Sequence, residues 1–469
     1  MTKEKILIFI LSVFIIFGIT VAFFPDNGIK ITDNFILYFP NYKDILNISS
    51  DSTKNEIATS IINTEIIEDI DSLNLNNLKN KIQRIEFPKK DTLVLANFFT
   101  KLKNISKYGT VRIMHYGDSQ IEGDRMTADI RNRLQEKFGG NGIGLVSPIT
   151  IYAQWSLNQE WSDNWLRFTG YGYIDTLIKH RKYGPMITLC RFSPVNNNEI
   201  FVRPENIYSA SLHLYKSNIG YGNSSNFRKI VVYYGNAKEK TKITLSSEGN
   251  ILATDSLQVG EDLYTYSYIS NSYLSDIRLD FESYDSPDFY GISLEDTYGI
   301  TVDNIGLRGS SGDVFSNQNA TILSQSYANL GVDLFILQFG GNAIVNVSDD
   351  KSIDQFISYF KYHVNFLKSL NPNSEFILIG PSDMSIKVKN NYESYPHIEK
   401  FIKKLKKMSF ECNIAYWDSY KAMGGKNSMP LWVKATPPLA EEDYVHFSPK
   451  GANIMSHLFY NALMFEYLK

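Results

Sequence analysis

The polar and apolar positions of this 469-residue chain fall into four textures. Lys3 and Lys5 precede a charge-free, mostly apolar run from Ile6 to Phe24, close to the ~20 residues that cross a bilayer. Residues 25–90 are rich in Asn, Asp, Ser, Ile and Lys without a sustained period, and read as a tether in which "LNLNNLKNKIQ" is a candidate helix. From Asp91 the pattern sharpens. Helical spacing in "TLVLANFFTKLKNI" leads to an apolar strand, "TVRIMHY". Helical spacing returns in "DRMTADIRNRLQEKFGG", where Ile130, Leu134 and Phe138 share a face and Gly139 is the stop.

Over residues 151–298 the texture changes. "FRKIVVYYG", "TKITLSS", "LYTYSYI" and "IRLDFES" gather β-formers between Gly, Asn, Ser and Asp turns, which predicts an all-β sandwich or jelly-roll module. From residue 299 to 469 strands at "GITVDNIG", "DLFILQF", "EFILIGP" and "NIAYWDS" alternate with helices. The helices are at "NQNATILSQSYANLG", "IDQFISYFKYHVNFLKSL", "HIEKFIKKLKKM" and "PKGANIMSHLFYNALMFEYL". Such alternation predicts a parallel sheet covered on both faces. The α/β domain is therefore expected in two pieces, 91–150 and 299–469, split by the β-module, with no internal repeat.

Composition adds boundaries to this picture. An apolar fraction of 43% and a charged fraction of 21% permit a sizeable core. The net charge of −3 and the lack of a basic stripe argue against nucleic acid as a partner. Positive charge ahead of the apolar run predicts a cytoplasmic N-terminus and an extracytoplasmic, periplasmic or surface location for everything after Pro25. No small-x-small cleavage site precedes Pro25, so residues 1–24 read as an uncleaved transmembrane anchor rather than a signal peptide. Cys190 and Cys412 read as buried free thiols, and neither they nor the histidines have metal-ligand spacing, so no metal or cofactor is expected.

The chemistry concentrates in four places. Gly117-Asp118-Ser119 follows a strand, where active sites of open α/β sheets form, and a helix N-terminus after it would favour a developing oxyanion. Serine needs a general base, and a base needs an orienting carboxylate. Asp443-Tyr444-Val445-His446, just before a helix capped by Ser448 and Pro449, supplies both. Between these blocks, "NIGLRGSSGD" offers the Gly309 N–H and "QFGGNA" offers the Asn342 amide, each after a strand, as oxyanion donors. His115 reads as a core histidine. Trp155, Trp161 and Trp165 are candidates for core packing or a sugar-stacking platform.

In this order the blocks resemble those of the SGNH (GDSL-like) hydrolase superfamily: Ser119, Gly309 and Asn342, then His446, with Asp443 completing a triad. The strings "HYGDSQIEGDR", "FGGNGIGLVSP", "GPSDM" and "DYVHFSPKGA" are similar to those of bacterial peptidoglycan O-acetylesterases and related cell-surface proteins. That resemblance implies a flavodoxin-like three-layer fold, no metal, and removal of acetyl groups from a polysaccharide through an acyl-serine. Ala343 stands where the third block often has Asp after its Asn, a departure that bears on subtype. Two other functions fit the same sequence. One is a polysaccharide O-acetyltransferase working with a membrane acyl-donor partner, and the other is a non-catalytic glycan-binding protein on this scaffold.

Overall fold

A computed structural model describes residues 3–23, 29–32, 35–37, 56–63, 69–71, 82–89, 93–196 and 201–469. The expected boundaries at 25 and 91, and all but the last two residues of the candidate helix at 73–83, lie outside them. The chain forms two compact units, Met1–Lys54 and Asn55–Lys469. The first holds a helix at Lys3–Phe23 and an antiparallel pair of strands, Ile29–Thr32 and Phe35–Leu37. Among the described residues no helix is long and apolar enough to cross a membrane. The transmembrane anchor expected from the sequence is therefore not supported by the structure.

The second unit is built on a parallel sheet of β1 (Thr110–Gly117), β2 (Gly299–Gly306), β3 (Val332–Gln338), β4 (Glu375–Ile379) and β5 (Ala415–Trp417). Its spatial order is β2-β1-β3-β4-β5, the flavodoxin-like arrangement. Successive strand residues point to opposite faces, and both faces are buried. Val111 and Ile113 of β1, Leu334 and Ile336 of β3 and Ile377 and Ile379 of β4 enter one core; Met114, Tyr116, Phe335, Leu337, Phe376 and Leu378 enter the other. The first core is closed by α1 (Thr127–Phe138), through Ile130, Leu134 and Phe138, and by the C-terminal helix. The second is closed by α2 (Ala320–Leu330), α3 (Asp350–Leu370) and α4 (Ile398–Glu411), through Tyr327, Phe360 and Phe401. The C-terminal helix is α5 (Pro449–Leu468), packed through Met455, Phe459 and Leu463. The three layers expected from strand–helix alternation are present.

Two expected boundaries move. Part of the segment read as a tether belongs to the α/β unit: Ile85 is buried in its core, and Glu86 makes an antiparallel bridge to Tyr416 on the sheet edge, with N–O distances of 2.8 and 2.9 Å. Isolated apolar residues among polar ones have no period to reveal this. Similarly Gly144–Val146, expected in the α/β part, pairs with Asp288–Glu295 of the β-module. The glycines before it permit the crossing. A side chain at Gly142, where φ is +90°, would stand 2.2 Å from the Leu294 carbonyl oxygen.

The β-module is a sandwich of two antiparallel sheets. One is ordered through Asn250–Leu257, Thr241–Ser247, Asp276–Ser283, Tyr208–Lys216 and Leu157–Trp161. The other runs through Gly260–Leu274, Phe227–Ala237, Asp288–Glu295, Thr188–Arg191 and Leu166–Thr169. Leu212, Phe281 and Phe289 lie in the core between them. A buried ion network ties module to sheet: Arg112 of β1 bonds Asp303 of β2 at 2.7 Å and Glu295 of the module at 2.5 Å. Cys190 and Cys412 are buried free thiols, as expected.

Candidate active site

In the order 2-1-3-4-5 the chain leaves β1 toward one side and reaches β3 on the other, so a crevice opens beyond the carboxyl ends of these strands. Ser119 lies two residues beyond β1 and Asn342 four beyond β3. Backbone bonds hold the two ends together: Leu307 N–H donates to the Gly117 carbonyl at 2.7 Å, and Asp118 N–H to that of Gln338 at 3.3 Å. The α-helix after the serine turn, expected from Asp124, begins at Thr127, after a short 3-10 turn at Glu122–Asp124. No α-helix N-terminus therefore stands at the serine.

The loop before α5 brings the other two residues. Ser448 caps α5 by accepting from Gly451 N–H at 3.2 Å, with Pro449 at the first helical position, as the sequence predicts. Asp443 folds the loop on itself: one carboxylate oxygen accepts from the N–H groups of Val445 and His446, both at 2.9 Å, and the other from His446 Nδ1 at 2.6 Å. Burial raises the Asp443 pKa, but the hydrogen bonds from the His446 ring and from these N–H groups outweigh it and hold the carboxyl below its usual value. The remaining ring nitrogen, Nε2, is 2.7 Å from Ser119 Oγ. Serine, histidine and aspartate thus form one hydrogen-bonded chain. With Nδ1–H donated to the carboxylate, Nε2 is left to accept the serine proton.

Three residues that support this loop were not singled out from the sequence. Gln120 donates to the Val445 carbonyl at 2.6 Å and accepts from Phe447 N–H at 3.4 Å, clamping the histidine loop to the serine turn. Tyr444 has φ of +59°, a conformation unfavourable for a bulky residue. It is held there by the Tyr392 ring stacked 3.5 Å away, on an antiparallel hairpin at Ser385–Val388 and Asn391–Ser394. The "SDM" string before that hairpin was visible in the sequence, but no local pattern connects Tyr392 to Tyr444.

Asn342 directs its amide at the Ser310 carbonyl, 3.0 Å, and at Asp118 Oδ2, 3.3 Å, so neighbours of Gly309 and Ser119 orient it. Gly309 has φ of +76°, and a Cβ there would meet nothing within 4 Å. Among the described residues, the N–H groups of Ser119 and Gly309 make no hydrogen bond. Asp118 is buried, and burial pushes its carboxyl up to about 6 against the bond from Gln120 N–H. The serine, Asn342 and His446 line a solvent-open cleft of about 120 Å³ whose apolar wall is Val345, Pro381, Met384 and Val445.

The remaining sequence candidates separate cleanly. His115 is a core residue bonded to Thr127 and Gln338, and burial lowers its pKa to about 3, so it stays neutral. Trp165 is buried against Phe192, Phe281 and Phe289. Trp161 is 37% exposed and lines an open groove with Tyr152 and Tyr215.

The family model for GDSL-like lipases and acylhydrolases matches residues 251–459. The stretch contains Gly309, Asn342, Asp443 and His446; Ser119 precedes it, on the far side of most of the β-module. A solved structure, "Peptidoglycan O-acetylesterase in action, 5 min", superposes with a TM-score of 0.62 at 22% identity, over 79% of this chain and 95% of its own. An acetylxylan esterase from Geobacillus stearothermophilus aligns at 18% identity over 37% of this chain and 76% of its own, with a TM-score of 0.28. A family two carbohydrate esterase from Cellvibrio japonicus aligns at 8% identity over 67% and 100%, with a TM-score of 0.25. No curated protein sequence matches the chain. Over residues 251–459 the chain is thus similar to GDSL-like lipases and acylhydrolases, and its fold is that of the first structure.

Proposed function

We propose that this SGNH hydrolase, which resembles peptidoglycan O-acetylesterases, is a serine esterase removing O-linked acetyl groups from a cell-wall or surface polysaccharide outside the cytoplasm. The observation that carries this reading is the unbroken chain Ser119–His446–Asp443 opening into a cleft that also holds Asn342. Ser119 Oγ attacks the acetyl carbonyl carbon while His446 Nε2 takes its proton, and Asp443 stabilises the imidazolium. The negative oxygen accepts hydrogen bonds from the N–H groups of Ser119 and Gly309 and from the Asn342 amide, replacing its longer contact to Asp118. Collapse expels the sugar oxygen, protonated by His446, and leaves acetyl-Ser119. His446 then takes a proton from water, which attacks the acyl carbon; collapse breaks the bond to Ser119 Oγ, returns that proton to it from His446 and releases acetate. The short apolar wall suits a methyl group. No metal is needed in these steps.

The test is acetate release from O-acetylated peptidoglycan by the full-length chain and by Ser119→Ala, with a chromogenic acetyl ester as control. Release by the wild type alone supports the reading. Acetyl groups recovered on added glycan rather than as acetate would replace hydrolysis by transfer. Absence of both activities from folded protein would overturn it. The extracytoplasmic location rests on the apolar run Ile6–Phe24 behind Lys3 and Lys5. Protease added to spheroplasts and to their lysate tests it: digestion in spheroplasts is expected, and protection there with digestion only after lysis would reject it.

A further inference from the structure

Two of the three triad groups stand at the surface. The Asp443 and His446 side chains are 48% and 29% exposed, and an exposed ion pair by itself holds a geometry only weakly. Their loop is a tight turn, closed by hydrogen bonds from Glu441 N–H to the His446 carbonyl at 2.8 Å and from Tyr444 N–H to the Glu441 carbonyl at 3.0 Å. The chain reverses at Tyr444 through its φ of +59°. That conformation is an outlier for a bulky side chain and persists only where the surroundings impose it.

What surrounds it is the hairpin of Ser385–Val388 and Asn391–Ser394. It leaves the α/β unit after Met384, which lines the cleft, and returns at Tyr395, whose N–H donates to the Met384 carbonyl at 2.9 Å. Beyond that base, residues 386–391 are exposed, so the hairpin adds little to either core. A two-stranded ribbon of this kind is marginally stable alone. Its contacts converge instead on the catalytic loop. Ser385 N–H donates to the Tyr444 carbonyl at 3.0 Å, and the Tyr392 ring lies on the Tyr444 ring with centroids 3.5 Å apart and planes within 5°. The returning strand is anchored from outside: Ser394 N–H donates to the Asn427 side chain at 2.9 Å, and Asn427 N–H to Ser394 Oγ at 2.7 Å. Asn427 precedes the short helix Ser428–Val433, whose Trp432 packs on Phe447 with ring centroids 5.5 Å apart. The residues flanking Val445-His446 are thus gripped by one buttress, on Tyr444 and on Phe447.

We propose that Tyr392 is a positioning residue for the general base: by stacking on Tyr444 it holds that residue in its left-handed conformation and keeps His446 Nε2 directed at Ser119 Oγ. Tyr392 touches no reacting atom and acts through the turn. The proposal deepens the esterase reading and rests on it for the role of His446. It gives the exposed hairpin a defined part, that of fixing the histidine loop on the side away from the Gln120 clamp.

The experiment follows the rate at which a fluorophosphonate labels Ser119 in the full-length chain, together with kcat and KM for a chromogenic acetyl ester. Labelling reports the serine and its base without reference to the natural substrate. Tyr392→Ala should slow labelling and lower kcat on the order of 10²-fold, as a base displaced by about 1 Å does, while KM changes far less. Tyr392→Phe keeps the ring and should recover most of both rates. Tyr444→Gly takes the left-handed conformation without steric cost, so adding Tyr392→Ala to it should cause little further loss. Wild-type labelling of folded Tyr392→Ala, an equal loss in Tyr392→Phe, or the same Tyr392→Ala loss in the Tyr444→Gly background overturns the proposal. Should Tyr392→Ala fail to melt cooperatively, Tyr392→Leu, which keeps apolar bulk but not the flat ring, replaces it with the same expectations. A wild type labelled no faster than Ser119→Ala removes the esterase reading and this proposal together, whereas normal wild-type labelling with an unaffected Tyr392 variant removes the proposal alone.

Discussion

The hydroxyl of Ser119 lies 2.7 Å from Nε2 of His446, although 327 residues separate them in the chain. Ser119→Ala deletes the attacking oxygen and leaves only the oxyanion donors and substrate binding. Hydrolysis of a chromogenic acetyl ester should fall by roughly 10³-fold or more. The melting temperature should change little, because the hydroxyl is partly exposed and supports no core contact. Steady-state rates and a thermal melt of the same preparation check both.

Asn342→Ala removes one oxyanion donor while its neighbours remain, and should lower kcat by about 10²–10³. KM for a small ester should change far less. A folded Asn342→Ala protein with the wild-type kcat would exclude the amide from the reaction.

Gln120 is a positioning residue rather than a reacting one. Gln120→Ala frees the Val445 carbonyl and the Phe447 N–H from the serine turn. Misplacement of the base by about 1 Å costs on the order of 10²-fold, so kcat should drop while the pH profile keeps its shape. Faster amide exchange at residues 444–447 would accompany it, and wild-type exchange there would contradict the clamp.

Asp118 makes stability depend on pH. Burial raises its folded pKa to about 6, above the unfolded value near 3.9. A raised folded pKa means that its contribution is fully present below about pH 4 and is lost as pH rises through about 6. The gap of about two units corresponds to on the order of 3 kcal/mol. Asp118→Asn cannot ionise, so relative to it the wild type should lose about that much between pH 4 and 7. Urea unfolding at several pH values measures the difference, and parallel curves for the two proteins would reject the account.

Arg112→Ala should be among the most destabilising substitutions. It leaves Asp303 and Glu295 buried without their cation, which costs about 3–5 kcal/mol in comparable cases. Glu295 is opposed by burial but held down to about 2 by Arg112, then Lys229 and Ser293. Its stabilisation is therefore present above the unfolded value near pH 4.3 and lost as pH falls toward 2. Thermal melts of wild type and variant at neutral and acid pH should converge on acidification.

Much of the fold was legible because its elements announce themselves locally. The apolar runs of β1, β3 and β4 are buried on both faces, and continuous apolar runs bounded by turns are what such strands require. Ile130, Leu134 and Phe138 recur at helical spacing because one side of α1 meets the sheet. What escaped notice lacked period or length. The hairpin at Ser385–Ser394 is short and half polar, Gly144–Val146 spans three residues, and Ile85 is a lone apolar residue in polar surroundings. The helix after the serine turn was read from Asp124 and starts at Thr127, because a short 3-10 turn at Glu122–Asp124 comes before it.

The sequence by itself determined the residue types of the site and the local geometry of Asp443 and His446, since three residues of loop before a capped helix suffice to join a carboxylate to a ring nitrogen. It also determined the strand–helix alternation, which is written in neighbours along the chain. Only the tertiary structure decided that β3 lies beside β1, which sets the Asn342 amide against Asp118 and Ser310. It alone placed Gln120 under the histidine loop and Tyr392 on Tyr444. These relationships join residues tens to hundreds of positions apart. They depend on strand order, which leaves no periodic trace in the chain.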